Sequence, residues 1–495
     1  MKTEICIPIT ADTVEKALID IKEAEKQVDL IELRIDFIKD IDNEKLKKLL
    51  DNSTKQTIIT CRKKQDGGNF SGSEKDKLSL LKKSAELKCN FIDVEFDLKN
   101  IKKIIDDKRE TKIIASYHNF KETPSLEELE KIYTQINDLN PDLIKIATNA
   151  SSINDNFEIF NLLKNKENLI AFCMGIRGQI SRILAPKYGS CITFASLDIE
   201  KESAPGQLSV KEINDVYNAS LINSKTKVLG VIGEFAENSQ SKYMHNPNFK
   251  KKSLGYVYVP FKVSKGELSG FMKNYREFKL AGAAVTIPHK EEIINYIDDV
   301  DEIAKNIGAV NTLVNKNGKI IGYNTDYYGA VEALKEKTSL DNKKILVIGA
   351  GGAARAIVYG LKKENATITI TNRTKEKAGK LANEFKVNLG NINSMKELIN
   401  NNEIIINTTS VGMYPDVNSS VVKENEFANG KLVMDIVYKP IMTKFIKNAE
   451  KSQCKTITGD KMLIYQAIGQ FKLWTGQDPD FNLMESKLLA KMEGD

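Results

Sequence analysis

KIIASYHNFKETPSLEELEKIYTQINDLNPDLIKIAT, residues 112–148, carries one full repeat of the pattern that decides the fold of the first half of this chain. A short β-branched run, KIIASYH (112–118), is followed by a Lys/Glu-rich amphipathic stretch and then by a second run, DLIKIAT (142–148). The same alternation recurs on either side, at EICIPIT (4–10), LIELRID (30–36), TIITCR (57–62), FIDVEF (91–96), LIAFCMG (169–175) and CITFAS (191–196), making eight runs. A spacing of roughly 22–34 residues suits one strand, one helix and two turns. Apolar runs separated by helical patterns indicate a parallel sheet with helices outside it. Eight units in about 220 residues predict a (β/α)8 barrel over residues 1–222. An open doubly wound sheet is the competing arrangement. The count of eight, and a new domain starting directly afterwards, favour the barrel.

The rest of the composition narrows the function classes. At 495 residues the chain has room for two to four domains, and 41% hydrophobic with 28% charged residues is an ordinary soluble balance. The net charge of +6 arises from 73 basic against 67 acidic side chains, without a basic arm. Nucleic acid and membrane surfaces are therefore not expected partners. No stretch approaches the ~20 apolar residues of a transmembrane helix, and MKTEICIPIT lacks a signal-peptide core. Cys6, Cys61, Cys89, Cys173, Cys191 and Cys454 form no CxxC pair, and the chain has three histidines. Scattered thiols predict a reducing cytoplasm and no metal site.

Charges inside buried parallel strands require a reason. The runs carry Glu32 and Arg34, Arg62, Asp93 and Glu95, His118 and Lys145, mostly near the C-terminal strand ends where barrel active sites lie. For Glu95, a strand-end residue reaching water is an equally good reading. Lys145 has apolar neighbours on both sides, a setting that favours a neutral amine able to attack a carbonyl. His118 comes from the preceding strand, so Schiff-base formation with adjacent proton transfer is the expected chemistry.

In the second half, NSKTK (223–227) reads as a linker, and KVLGVIG (227–233) starts a new strand. KKILVIGAGGAARAIVYGL (343–361) is a strand, a glycine turn and a helix. Gly349, Gly351 and Gly352 allow close approach of a pyrophosphate, which the helix N-terminus favours, and Ala354 stands at the third glycine position. At the end of the next strand, Asn372-Arg373-Thr374 replaces the acid expected for NAD, so a 2′-phosphate and hence NADP are predicted. Lys290 in AVTIPHK and Asp326 in GYNTD supply a cation and a carboxylate ahead of the nucleotide unit.

Taken as ordered sets, these motifs resemble two families. ELRID (32–36), SYHNF (116–120), PDLIKIA (141–147), MGIRGQISR (174–182), GSCITF (189–194) and SAPGQ (203–207) closely resemble type I 3-dehydroquinate dehydratase. The resemblance implies Lys145 as Schiff-base lysine, His118 as general acid/base and Arg182 as the holder of the substrate carboxylate. It implies Glu32, Arg34, Arg62, Ser203 and Gln207 as substrate contacts, with Asp93 orienting His118. Asp66 stands where that family usually has Glu.

Residues 227–490 resemble shikimate dehydrogenase, through NSQSKYMHN, AVTIPHK, IGAVNT, GYNTD, the glycine turn, NTTSVGM (407–413), DIVYKP (435–440) and GDKMLIYQ (459–466). This implies Lys290 and Asp326 as the catalytic pair and Ser239, Ser241, Thr286, Asn311, Tyr438 and Gln466 as substrate contacts. Gly349, Ala350, Gly351, Gly352, Ala353, Asn372, Arg373, Thr374 and Gly459 are the implied cofactor positions. Lys242 replaces a usual proline, predicting altered loop stiffness, and Ala284 replaces a usual asparagine, predicting a looser substrate pocket or looser cofactor-side packing.

The joint resemblance is to bifunctional dehydroquinate dehydratase–shikimate dehydrogenases. It implies an α/β chain: a TIM barrel at 1–222, a substrate-binding domain at 227–330 with a C-terminal return at 461–495, and a Rossmann NADP domain at 331–460. NADPH, small-molecule substrates (3-dehydroquinate, 3-dehydroshikimate, shikimate), a cytoplasmic location and compatibility with a homodimer complete the expectation. The rivals are an aldolase-like Schiff-base barrel fused to a quinate-type dehydrogenase, and a degenerate metabolite-sensing regulator.

Overall fold

The computed structural model describes residues 3–493. The chain divides into two compact units, Met1–Lys227 with Gly255–Val263 and Val228–Leu254 with Ser264–Asp495.

The eight runs of the first half all form strands: β1 (Glu4–Ile9), β2 (Leu30–Arg34), β3 (Gln56–Thr60), β4 (Phe91–Glu95), β5 (Lys112–Asn119), β6 (Leu143–Asn149), β7 (Leu169–Met174) and β8 (Ile192–Phe194). They lie in the order β7-β6-β5-β4-β3-β2-β1-β8, all parallel. Between β7 and β8 the backbone bond Cys191 N–H to Leu169 O (2.9 Å) brings the two ends together. The result is a nearly closed barrel. Alternate residues of a strand share one face. Reading every second residue inward therefore gives Leu30-Glu32-Arg34, Ile58-Thr60, Phe91-Asp93-Glu95, Ile114-Ser116-His118 and Leu143-Lys145-Ala147. Leu30, Ile58, Phe91, Ile114, Ile170 and Ile192 pack into one apolar plug at the N-terminal end. The charges stack above it, toward the C-terminal ends.

The second sheet runs β10-β9-β11-β13-β14-β12, with β9 (Lys227–Gly233), β10 (Tyr256–Lys262), β11 (Gly282–Val285), β12 (Asp299–Val300), β13 (Thr312–Lys316) and β14 (Lys319–Tyr323). It is mixed: β13 is antiparallel to both β11 and β14. The third sheet is parallel throughout and runs β17-β16-β15-β18-β19-β20. Its strands are β15 (Lys344–Ile348), β16 (Thr367–Thr371), β17 (Asn388–Leu389), β18 (Ile404–Asn407), β19 (Leu432–Asp435) and β20 (Lys455–Ile457). In its own numbering this is the 3-2-1-4-5-6 order of dinucleotide-binding sheets. The central strands β15 and β18 are covered on both faces, which is why they are apolar without alternation, whereas β16 (TITIT) alternates. Ile345 and Val347 belong to the core on one face, and Leu346 and Ile348 to the core on the other.

Candidate active sites

The barrel site is built by register. Arg34, Thr60 and Asp93 are neighbours across β2, β3 and β4, and Ser116 lies beside Lys145 across β5 and β6. Asp93 is the hub. Its Oδ2 accepts from Lys145 Nζ (2.9 Å), and its Oδ1 accepts from Arg62 Nη2 (2.6 Å) and Ser116 Oγ (2.7 Å). Complete burial pushes the Asp93 carboxyl up, but the charges of Lys145 and Arg62 outweigh this and hold it well below the usual carboxylate range. The other Arg62 nitrogen, Nη1, lies 2.6 Å from His118 Nδ1. Burial and then the charges of Arg62 and Lys145 push His118 well below 6.5, so its resting imidazole is neutral.

Three expectations change here. Lys145 does not sit in an apolar pocket. Asp93 is at 2.9 Å, Glu32 Oε1 at 3.7 Å, and the Phe194 ring centroid at 4.4 Å. Its apolar sequence neighbours point to the outer face, while the amine faces inward to an ion pair. Asp93 reaches His118 only through Arg62, because the arginine fork lies between them. Glu95 does not reach water: it is buried and ion-paired with the fully buried Lys77.

Arg34 is committed to Asp36 by a bidentate pair (2.9 and 2.8 Å) and stacks over Phe37. Asp36 is a partner the sequence reading overlooked, although it lies two residues away. Thr60 Oγ1 donates to Glu32 Oε1 (2.6 Å). Ser203 donates through N–H (2.9 Å) and Oγ (3.1 Å) to the Gln207 side-chain oxygen. Arg182 differs from the other cations. It is 2% exposed, lies 4.2 Å over the Phe172 ring, and has no carboxylate partner among the described residues. Its Nε is unbonded, and Nη1 makes only a 3.5 Å contact to Phe194 O. Burial pushes its pKa down to about 10, so it remains a cation at neutral pH.

Glu32, Arg34, Arg62, His118, Lys145, Arg182, Ser203 and Gln207 line one cavity. Phe120, stacked on His118, covers one side. Gly67 has φ +77°, and a Cβ there would stand 2.4 Å from the Phe120 ring, so only glycine permits this closure. Asp66 does not line the cavity. Burial and the nearby Glu95 and Asp97 raise its pKa.

In the second half, Lys290 Nζ donates to Asp326 Oδ2 at 2.5 Å. The buried Asn311 fixes that carboxylate: Nδ2 donates to Asp326 Oδ1 (2.7 Å), while Oδ1 accepts from Thr325 N–H (2.8 Å). Ser241 opens the helix Ser241–Lys251, and its N–H donates to Ser239 Oγ (3.3 Å), so these two serines are adjacent. Thr286 packs against Gly233, whose Cβ position would lie 2.4 Å from Thr286 Cγ2. Gln466 packs on Gly329 of the helix that Asp326 begins. Tyr438 follows a buried turn in which Asp435 accepts from Thr443 Oγ1 (2.6 Å), Asn407 Nδ2 and Val437 N–H; burial raises Asp435 to about 6. That anchor was not singled out in the sequence.

Lys242 lies in the first turn of the helix Ser241–Lys251, not in a loop. The expected change in loop stiffness does not arise, because proline and lysine both fit a first helical turn. Ala284 is 7% exposed in β11, paired with Thr312 and Val231.

The glycine turn joins β15 to the helix Gly352–Lys363. Gly349 has φ +127°, and a Cβ there would meet Thr408 Oγ1 at 2.2 Å. A Cβ on Gly351 would meet nothing within 4 Å, so the helix N-terminus is open to a ligand on that side. Ala350 and Ala353 flank these glycines, and Ala354 is fully buried against the sheet. Arg373 is exposed and makes no ion pair among the described residues, beside a loop closed by Asn372 Nδ2 to Thr374 O (3.0 Å). An open helix N-terminus with an uncommitted arginine past the next strand fits a dinucleotide bearing a 2′-phosphate. Gly459 starts the helix Gly459–Thr475, with a Cβ position 2.4 Å from Val437 O. Lys290 reaches the turn: its Cδ lies 3.7 Å from the Cβ position of Gly352.

Comparison with known proteins places family matches on both halves. Residues 5–224 match the type I 3-dehydroquinase family, 231–313 the shikimate dehydrogenase substrate-binding domain, 332–457 the shikimate/quinate 5-dehydrogenase family, and 461–489 the shikimate 5′-dehydrogenase C-terminal domain. A chloroplastic bifunctional 3-dehydroquinate dehydratase/shikimate dehydrogenase of Arabidopsis thaliana is 37% identical over 95% of this chain and 82% of its own length. The shikimate dehydrogenase (NADP+) of Methanococcus maripaludis is 45% identical over 55% of this chain and all of its own. A solved shikimate dehydrogenase in complex with NADP+ is 42% identical, with a TM-score of 0.53, covering 55% of this chain and 97% of that one.

Proposed function

This chain belongs to the bifunctional 3-dehydroquinate dehydratase/shikimate dehydrogenase family, and on that premise we propose how its own residues divide two consecutive reactions. Residues 1–222 dehydrate 3-dehydroquinate to 3-dehydroshikimate. Residues 227–330 with 461–495 hold that product, and 331–460 hold NADPH for its reduction to shikimate. The cytoplasm is the proposed location, in keeping with six unpaired cysteines.

In the barrel, Arg182 takes the substrate carboxylate; among the described residues it is the cavity charge without an ion-pair partner. Lys145 passes a proton to His118 and its amine adds to the ketone; His118 returns that proton to the carbinolamine hydroxyl, which leaves as water, and an iminium forms. The iminium draws electrons from the adjacent carbon more strongly than the ketone does. His118, neutral at rest, removes a proton from that carbon. The hydroxyl on the next carbon then leaves, with the proton that His118 returns, as water. Hydrolysis frees Lys145. Asp93 keeps the amine, and through Arg62 the imidazole, in place throughout.

In the second reaction NADPH, when bound along Gly349–Ala353 and Asn372–Thr374, supplies the hydride. Ser239 and Ser241 hold the substrate carboxylate, with Thr286, Asn311, Tyr438 and Gln466 around the ring. The Lys290 ammonium stabilises the developing alkoxide by its charge and then gives it a proton, becoming a neutral amine, while Asp326, fixed by Asn311, aims it.

The observation that carries the reading is the barrel cluster itself, an inward lysine and a neutral histidine sharing one cavity with a buried, unpaired arginine. The test is to supply 3-dehydroquinate and NADPH and identify the product, with borohydride trapping in parallel. Shikimate, and a reduced adduct on Lys145 by mass spectrometry, are expected. A label on another lysine, or none during turnover, removes the assignment.

A further inference from the structure

We propose that Arg355 is a positioning residue for the ketone reduction: its guanidinium latches the nucleotide-binding helix Gly352–Lys363 to the segment 307–312 that braces Lys290 and Asp326. The inference rests on the reading of Lys290 as proton donor.

Arg355 lies in the first turns of a helix whose N-terminal end disfavours cations. Its partners explain why it is nevertheless suited to the position. Nη1 and Nη2 both pair with Glu384 of the helix Lys375–Phe385 (2.9 Å for Nη1), which orients the fork. The remaining donor, Nε, gives a 2.5 Å bond to the carbonyl of Ile307. Ile307 is the last residue of the helix Glu302–Ile307, so that carbonyl belongs to a negative helix end that lacks an intrahelical donor. Gly308 follows at φ +73°, and a Cβ there would stand 2.6 Å from Arg355 Nη2. Glycine thus gives the turn and makes room for the arginine.

From the latch the chain runs directly into the site. Ala309 packs with Ile307 and Ala356 in one apolar cluster. Val310 N–H donates to the Lys290 carbonyl (2.8 Å), and Asn311 holds Asp326 at 2.7 Å. A shift of the nucleotide-binding helix is therefore passed to the backbone of Lys290 and the carboxylate that aims it. Nη1, Nη2 and Nε each have a partner within the protein, and the proposed role runs through Ile307 and not through contact with a ligand.

The test uses the full-length chain and Arg355→Met, which keeps the length and removes the donors. Its kcat for ketone reduction falls about 10- to 100-fold, as expected for a slightly misplaced catalytic group. The separate dissociation constants of NADP+ and shikimate change less than about threefold, because the binding residues themselves are untouched. Arg355→Lys, which can still reach Ile307 O or Glu384, recovers part of kcat. Dehydratase activity of the same polypeptide stays at the wild-type level. Unchanged kcat in Arg355→Met overturns the proposal. So does a loss of either binary affinity as large as the loss of kcat, or an Arg355→Lys variant no better than Arg355→Met. Lys290→Ala measured alongside separates the two readings: if it keeps the wild-type rate, the lysine assignment fails whatever the arginine variants do.

Discussion

Replacing Arg182 by methionine should make the free barrel more stable and the dehydratase much worse. The side chain is 2% exposed, has no carboxylate partner among the described residues, and carries an unbonded Nε. Its pKa is pushed down from 12.5 to about 10 by burial. At about 1.4 kcal/mol per pH unit, that displacement means the buried charge costs the fold roughly 3 kcal/mol. The sign follows from linkage. A base whose folded pKa is depressed penalises the fold at every pH below the folded value, and the penalty fades only as pH rises from about 10 toward 12.5. At neutral pH it is present in full. Methionine keeps much of the stem over Phe172 and removes the charge. The expected gain is about 1–3 kcal/mol after some loss of packing.

The substrate carboxylate should lose a charge-assisted bond of about 1.5–3 kcal/mol, which lowers dehydratase kcat/KM about 10- to 150-fold. The assays are urea unfolding followed by a probe confined to the barrel, such as borohydride-trappable Lys145, and steady-state dehydration. A variant that is less stable yet keeps kcat/KM would refute the reasoning. It would mean that the arginine serves the core and not the ligand.

Three other outcomes follow from the same geometry. The acid limb of dehydratase kcat/KM should lie below pH 6.5, because burial and the charges of Arg62 and Lys145 keep His118 neutral as pH falls through that value; Arg62→Gln should move the limb upward, and a pH profile of both proteins checks this. Arg373→Ala should weaken NADPH use about 10- to 100-fold with little change for NADH; equal losses with both cofactors would assign the arginine to the fold. Lys290→Ala should lose most ketone reduction and keep dehydration, Lys145→Ala should do the reverse, and a mixture of the two should make shikimate from 3-dehydroquinate. A silent mixture of two half-active variants would require obligatory transfer between sites.

Much of this molecule could be read before any coordinates existed. Eight β-branched runs with amphipathic stretches between them are a local pattern, because strand and helix periodicities are set by backbone geometry within a few residues. The glycine turn is equally local: Gly349 needs its φ of +127° whatever the rest of the chain does. Lys145 and His118 stood out as polar side chains in otherwise apolar strands, whereas Lys290 and Asp326, loop charges that alone suggest only solvated surface, were marked by the resemblance of their motifs to shikimate dehydrogenase.

Partnership was a different matter. Apolar neighbours in sequence suggested an apolar pocket for Lys145, yet barrel closure turned its amine toward Asp93, Glu32 and the Phe194 ring. Arg62, read as a substrate contact, lines the cavity and also links Asp93 to His118. Glu95 found Lys77 inside the protein, and Arg182 found no ion-pair partner among the described residues. Arg355 and Ile307, 48 residues apart, meet across two helices with no motif to announce them. Alternation along a strand says which side chains face inward. Which of them meet depends on how strands distant in sequence are staggered and tilted around the ring, and that register is settled only when the whole sheet closes and its core packs.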